Sequence, residues 1–254
     1  MNPVPQKKKV IELVGIGMSP WTEKAQWVLD HHRVPYRYRE HTILLGMPVL
    51  SARLGLPPSE ITVPLLIESD EIILDSFDIS QRVDARFGGT LIPSEHGPEI
   101  KHYNILCDLV SDASRALMIE RLLKDPAAQA QTLPPFIPGM FRGPFRFMSR
   151  VGAAYIQQEF NTTRKSPYEY GMVMLQAFVG LSAALERAGG KYLIGGGFTM
   201  ADILGAVAVG GLRPHRRIAE KMGPAVLKCW TSEELEDRFG HLLEWRDWVY
   251  QQHR

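Results

Sequence analysis

The chain has 254 residues, 45% hydrophobic and 22% charged, and 29 Lys and Arg against 28 Asp and Glu leave a formal charge of +1. This excludes a disordered or collagen-like chain, and at roughly 100–200 residues per domain the length admits one large domain or two small ones. A charge so near zero offers no domain-wide field to gather phosphate backbones, so nucleic acid is not expected as a partner.

The start carries Lys7, Lys8 and Lys9, but Glu12 interrupts the apolar run behind them before it reaches signal-peptide length. No apolar stretch approaches the roughly 18 residues needed to span a bilayer. The expectation is a cytoplasmic protein with a solvated basic tail and no membrane partner. Cys107 and Cys229 are far apart and outside any CxxC pair, so neither a disulfide framework nor a cysteine zinc site is expected.

Residues 10–16 (VIELVGI) form the near-continuous apolar run of a strand buried on both faces. Trp21, Ala25, Val28 and Leu29 then recur at helical spacing, with Pro20 where a first-turn proline is tolerated. Residues 36–42 (YRYREHT) alternate like a second strand after Pro35. Residues 47–62 are rich in Pro, Gly and Ser and read as a loop with at most one short helix. VPLLIE (63–68) and EIIL (71–74) predict a hairpin around Ser69 and Asp70, followed by a helix capped by Asp75, running through Ile79, Val83 and Phe87 and stopped at Gly88 and Gly89.

Beyond about Pro98 the pattern is helical, so the domain boundary falls between Gly88 and Pro98, giving domains 1–92 and 93–254. One apolar stripe runs through Tyr103, Leu106, Val110, Ala113 and Leu117, another through Met174, Phe178, Leu181 and Leu185, predicting two long packed helices. The segment 133–145 (LPPFIPGMFRGPF) carries too much Pro and Gly for regular structure, and a weaker helical stretch follows to about Phe160. Arg142, Arg146 and Arg150 are spaced four apart on what reads as a solvated face. Thr199 to Asp202 form a capping box, read as structural, and residues 231–234 predict a similar start for a last helix through Leu242, Trp245 and Val249. His31 and His32 are adjacent on a helix and cannot share a metal as an i, i+4 pair can; they read as surface or capping residues, and no metal is expected.

The turn GIGMSP (15–20) joins strand to helix but lacks the third glycine of a dinucleotide fingerprint. It places Ser19 at the N-cap, where a hydroxyl and the free N–H groups of the first helical turn favour an anion. The SPWT of 19–22 stands where thioredoxin-like proteins carry CxxC, and Val63-Pro64 stands where they carry a cis-proline. With Asp75-Ser76 at the start of the helix after the hairpin and FTMAD (198–202) in an all-helical second half, the chain resembles the cytosolic glutathione S-transferase family, serine type.

That resemblance implies a thioredoxin-like βαβ-ββα domain followed by a helical-bundle domain, with glutathione as co-substrate. It implies that the Val63 backbone and cis-Pro64 hold the cysteinyl part, that Asp75 and Ser76 hold the γ-glutamyl end, and that Ser19 faces the sulfur. A serine hydroxyl is too weak a base to take the thiol proton, but it can donate a hydrogen bond to the thiolate. One or two units off a thiol pKa of about 8.5 require about 1.4–2.8 kcal/mol. The expected reaction transfers the thiolate to a small hydrophobic electrophile, as in detoxification, with Tyr103 and Phe141 as candidate pocket residues. A two-fold homodimer is expected from the resemblance alone. A glutathione-dependent isomerase or dehalogenase, or a non-catalytic binding module on the same fold, stays open.

Overall fold

The computed structural model describes residues 11–43, 46–69, 71–134 and 136–254. The Lys7 to Lys9 tail, Val10 at the start of the first predicted strand, and Asp70 of the hairpin turn lie outside the described residues. The chain divides into two compact units, Met1–Gly89 and Thr90–Arg254.

The first unit runs β1 (Ile11–Gly15), α1 (Pro20–His31), β2 (Tyr36–Glu40), α2 (Gly46–Leu54), β3 (Leu65–Glu68), β4 (Glu71–Ile73) and α3 (Ser76–Phe87). Its strands form one sheet in the order β2-β1-β3-β4. β1 pairs parallel with β2 and antiparallel with β3, and β3 pairs antiparallel with β4. This is the mixed sheet of the expected thioredoxin-like domain.

Alternation along β1 sends its side chains to two covered faces. Val14 packs with Leu50 of α2, Ile61 and Leu65 on one face. Glu12 shares that face and is buried, accepting from Arg39 of β2 at 3.0 Å and from Arg53 of α2. Burial raises its pKa, but the two guanidinium groups outweigh burial and hold it below the usual carboxylate range. The opposite face meets α3, where Glu68 of β3 pairs with Arg86. α1 and α3 pack together through fully buried Trp27, Val28, Ile79 and Val83. His32 Nε2 lies 2.8 Å from Asp84 Oδ1 across that seam, both side chains buried; of the surface and capping roles its position allows, His32 takes the C-cap of α1.

The segment 47–62 contains the one short helix that its composition allows, the nine-residue α2, together with a 3-10 turn at Pro58–Glu60. Pro48 falls in the first turn of α2, where the missing N–H has no intrahelical partner to lose, and Leu50 supplies the one buried anchor.

The second unit comprises α4 (Gly97–Lys124), α5 (Pro126–Gln131), α6 (Arg146–Glu159), α7 (Pro167–Arg187), α8 (Met200–Val209), α9 (Arg216–Ala219), α10 (Pro224–Trp230), α11 (Glu233–Arg238) and α12 (Gly240–His253). In the predicted stripe of α4, Tyr103, Val110, Ala113 and Leu117 are buried and Leu106 is half-buried; the stripe of α7 is buried, α8 is buried along its length, and α4 packs against both. A separate cluster joins Met118, Ile119 and Leu122 of α4 to Ala128, Ala153, Val226 and Trp230. The predicted last helix is broken in two. Thr231 Oγ1 bonds back to Leu227 O, Ser232 takes the N-cap of α11, and Phe239, buried against Phe178, ends α11 before Gly240 opens α12. Packing of the Phe239 ring overrides the continuous apolar period. Among the described residues no helix is long and apolar enough to cross a membrane.

Asp202 closes the capping box of α8, accepting from Thr199 N at 2.8 Å, Thr199 Oγ1 at 3.2 Å and Leu193 N at 2.8 Å. Burial outweighs these bonds and lifts its pKa from 3.8 to about 6. The folded state therefore favours the neutral acid, a contribution fully present below about pH 4 and lost as pH rises through about 6. The difference is ~3 kcal/mol at about 1.4 kcal/mol per unit. Urea unfolding of Asp202→Asn should show that pH slope removed, on top of a cost of about 1–3 kcal/mol for the lost acceptor.

Candidate functional site

Sheet register brings the predicted glutathione residues of the first unit to one edge. The β1–β3 ladder ends at Val14 and Leu65, so Gly15 and Pro64 are the next residues of the two strands at that end. The β3–β4 ladder ends at Leu66 and Ile73, and Asp75 lies two residues beyond Ile73 at the same end. Thr62 Oγ1 ties the approach to β3 onto Leu74 O at 3.1 Å. Gly15 pairs with Glu40, so the parallel strand β2 ends there as well. The turn that carries Ser19, the Val63-Pro64 bend and the start of α3 thus emerge side by side from adjacent strands.

The turn between β1 and α1 is fixed by bonds to its own backbone. Thr22 Oγ1 accepts from Ile16 N at 3.1 Å, Ser19 N donates to Ile16 O at 2.8 Å, and Gly17 N donates to Glu40 Oε1 at 2.9 Å. The other Glu40 oxygen takes the Tyr38 hydroxyl at 2.7 Å, and His41 N donates to Gly15 O at 2.7 Å. Gly15 must be glycine, because a Cβ there would stand 2.6 Å from Thr22 Cγ2. Thr22 is buried, not on the helix surface, and its hydroxyl oxygen serves the turn by accepting from Ile16 N. Burial, reinforced by Glu40, raises the Tyr38 pKa well above the ordinary phenol value, and burial lowers that of His41 against the pull of Glu40. The Tyr38 proton therefore stays on the phenol, directed at Glu40.

Ser19 is the N-cap of α1 by backbone, with φ −79° and ψ 130°, but its side chain makes no capping hydrogen bond. The usual reason for a serine at this place does not hold here. Its hydroxyl is half-buried at the positive end of a twelve-residue helix.

The Val63-Pro64 peptide is cis, with Val63 partly exposed and Pro64 buried. Asp75 is exposed and caps α3, its Oδ1 accepting from Phe77 N at 2.7 Å and Asp78 N at 3.1 Å. Capping uses one carboxylate oxygen and leaves the other. The Ser76 Oγ is buried and has no hydrogen-bond partner, whereas the neighbouring Ser80 hydroxyl donates to Ser76 O at 2.8 Å. A hydroxyl left without a partner costs about 1–3 kcal/mol, a cost removed by any acceptor that reaches it.

The candidate pocket residues belong to the second unit and are not alike. Tyr103 lies in the buried stripe of α4, its pKa raised by burial, while Phe141 is 48% exposed on a 3-10 turn at Gly139–Phe141. They share no ring contact among the described residues. Thr199 and Asp202 are buried and serve the α8 start. Among the described residues no group of three or more His, Cys, Asp or Glu side chains is placed to hold a metal.

Sequence reasoning missed Glu40 and Tyr38, which brace the Ser19 turn. The signal was available: a strand following β1 through a helix pairs parallel to it, which puts the end of YRYRE beside the glycine turn. The two jobs of Asp75 separate by substitution. Asp75→Ala should lower the stability of the free protein by about 1 kcal/mol, and Asp75→Asn, which still caps, by a few tenths. Chemical denaturation measures both.

With this geometry established, comparison with known proteins is informative. The family model described as "Glutathione S-transferase, N-terminal domain" matches residues 13–91. A curated relative, glutathione S-transferase U1 of Arabidopsis thaliana, is 32% identical over 79 residues, covering 31% of this chain and 34% of that protein. The match thus spans about a third of the relative's length. The crystal structure of a glutathione transferase from Phanerochaete chrysosporium superposes with a TM-score of 0.64 at 18% identity, covering 97% of this chain and 99% of that one. A glutathione S-transferase from Ceriporiopsis subvermispora, solved in complex with glutathione, superposes at 0.60 with 16% identity, over 96% and 99% of the two chains. At those identities the likeness shows the fold. The match identifies residues 13–91 as a glutathione S-transferase N-terminal domain, and the superpositions show that the whole chain shares the fold of those neighbours.

Proposed function

We propose that the protein is a glutathione transferase of the serine type, transferring the glutathione thiolate to a small hydrophobic electrophile. The observation that carries this reading is the Ser19 hydroxyl, which occupies an N-cap and does not cap. Free of the backbone, it donates a hydrogen bond to the sulfur and, with the α1 N-terminus, favours thiolate over thiol. The proton leaves to solvent, because a serine oxygen cannot hold it.

The remaining groups bind and orient the tripeptide. The Val63 backbone, presented beside cis-Pro64, pairs with the cysteinyl unit. The Asp75 oxygen not used in capping takes the γ-glutamyl ammonium, and the Ser76 hydroxyl, turned from its unsatisfied position, takes the carboxylate with the α3 N-terminus. The strands that lead to Gly15, Pro64 and Asp75 are neighbours in the sheet and end at the same side, which supports a single ligand reaching all three. A glutathione complex of the Ceriporiopsis subvermispora neighbour supports the ligand's identity. Rate then comes from a stabilised nucleophile held in place for attack. Tyr103 and Phe141 remain candidates for the electrophile's surroundings.

Glutathione at a hundredfold over its dissociation constant should stabilise the wild type by about 2.7 kcal/mol. That stabilisation should shrink in both Asp75→Ala and Asp75→Asn, although only the first loses its cap. With an activated aromatic electrophile, Ser19→Ala should keep the thermal response to glutathione and lose about 10–100-fold in kcat/KM at neutral pH. Ser19→Ala at wild-type rate would remove the serine from the mechanism, and no thermal response in the wild type would remove glutathione.

A further inference from the structure

The segment between α5 and α7 exposes apolar side chains in a way the proposed reaction does not use. Phe136 is 71% exposed, Met140 80%, Phe147 59% and Val151 54%. Phe145 and Phe147 stack on one another, with ring centroids 6.1 Å apart. α6 is anchored to the core by buried Ala153, with Ile156 packed beside it. Phe147 and Val151, one turn apart, point away from that anchor into solvent.

Charge on the same segment is one-sided. No Asp or Glu occurs between Asp125 and Glu159, while Arg142, Arg146 and Arg150 do. Arg142 bonds the carbonyls of Ile137 and Ala130, and Arg146 that of Gly143. None of the three pairs with a carboxylate among the described residues, whereas Arg39, Arg53, Arg82, Arg86, Arg213 and Arg246 all do. Arg150, exposed, flanks Phe147 on the helix.

From this juxtaposition we infer that the face of α6 formed by Phe147, Val151, Arg146 and Arg150 docks on a membrane surface rich in anionic phospholipid. Phe147 and Val151 enter the headgroup boundary while the guanidinium groups meet lipid phosphates. A second copy is a poor occupant: a two-fold contact would bring together two faces of the same positive sign with no acid on the segment to offset them. A phosphate polymer would satisfy the arginines but leave the phenylalanines in water. Composition alone gave these arginines a solvated role and no membrane partner; the exposed rings among them alter that expectation. This inference does not rest on the glutathione reading.

The test is cosedimentation of the full chain with vesicles of equal parts phosphatidylcholine and phosphatidylglycerol, against phosphatidylcholine alone. The protein should bind the mixed vesicles, release with added salt, and lose about fivefold in partitioning for each of Arg146→Gln and Arg150→Gln. The double variant Phe147→Ser, Val151→Ser should also weaken binding while keeping the wild-type melting profile. Equal retention on both vesicle types, or none on either at low ionic strength, overturns the proposal. So does a fall in solution mass of the double variant by sedimentation equilibrium, which assigns the face to a second copy.

Discussion

The antiparallel pairing of β1 with β3 is the constraint on which the rest of the candidate site depends. Setting Val14 against Leu65 fixes which residues follow at the strand ends, and those are Gly15 on one side and cis-Pro64 on the other. A slip of one residue would turn Val14 and Leu65 away from Leu50 and present Glu12 to the wrong face, far from Arg53. The apolar cluster and the buried ion pair therefore hold the register. The register in turn positions the loops, so core packing and site geometry express one arrangement.

Within that frame the turn before α1 distributes its polar groups economically. Thr22 takes the Ile16 amide, Glu40 takes that of Gly17, and Ser19 gives its own amide to Ile16. Each bond stiffens the loop without using the Ser19 hydroxyl. At the start of α3 the assignment is reversed: Asp75 is engaged in capping by one oxygen, and the neighbouring Ser76 hydroxyl is left unsatisfied. Two helix starts at one sheet edge, each with a polar group uncommitted to the fold, are what a zwitterionic peptide with an ionised sulfur requires.

Much of this was legible in sequence because local rules decide it. The near-continuous apolar run of β1, the cap and glycine stop of α3, and the Thr199 to Asp202 box need only neighbours along the chain, and all three appear. The cis bond at Val63-Pro64 was expected from resemblance to the family. What escaped depends on contacts distant in sequence. His32 meets Asp84 across 52 positions, and Glu40 reaches Gly17 across 23. The last helix broke because Phe239 found Phe178. In residues 47–62 composition allowed one short helix without placing it, and the helix lies where one proline falls in the first turn and a single leucine anchors it.

On the proposed reading, the protein lowers the pKa of a bound thiol through one hydroxyl and one helix end. Titrating the thiolate absorbance of glutathione held on the protein tests it most directly. The apparent pKa should lie one to two units below the ordinary thiol value of about 8.5 and move back towards it in Ser19→Ala. Bound glutathione that titrates as it does free in solution, with or without the serine, would contradict it.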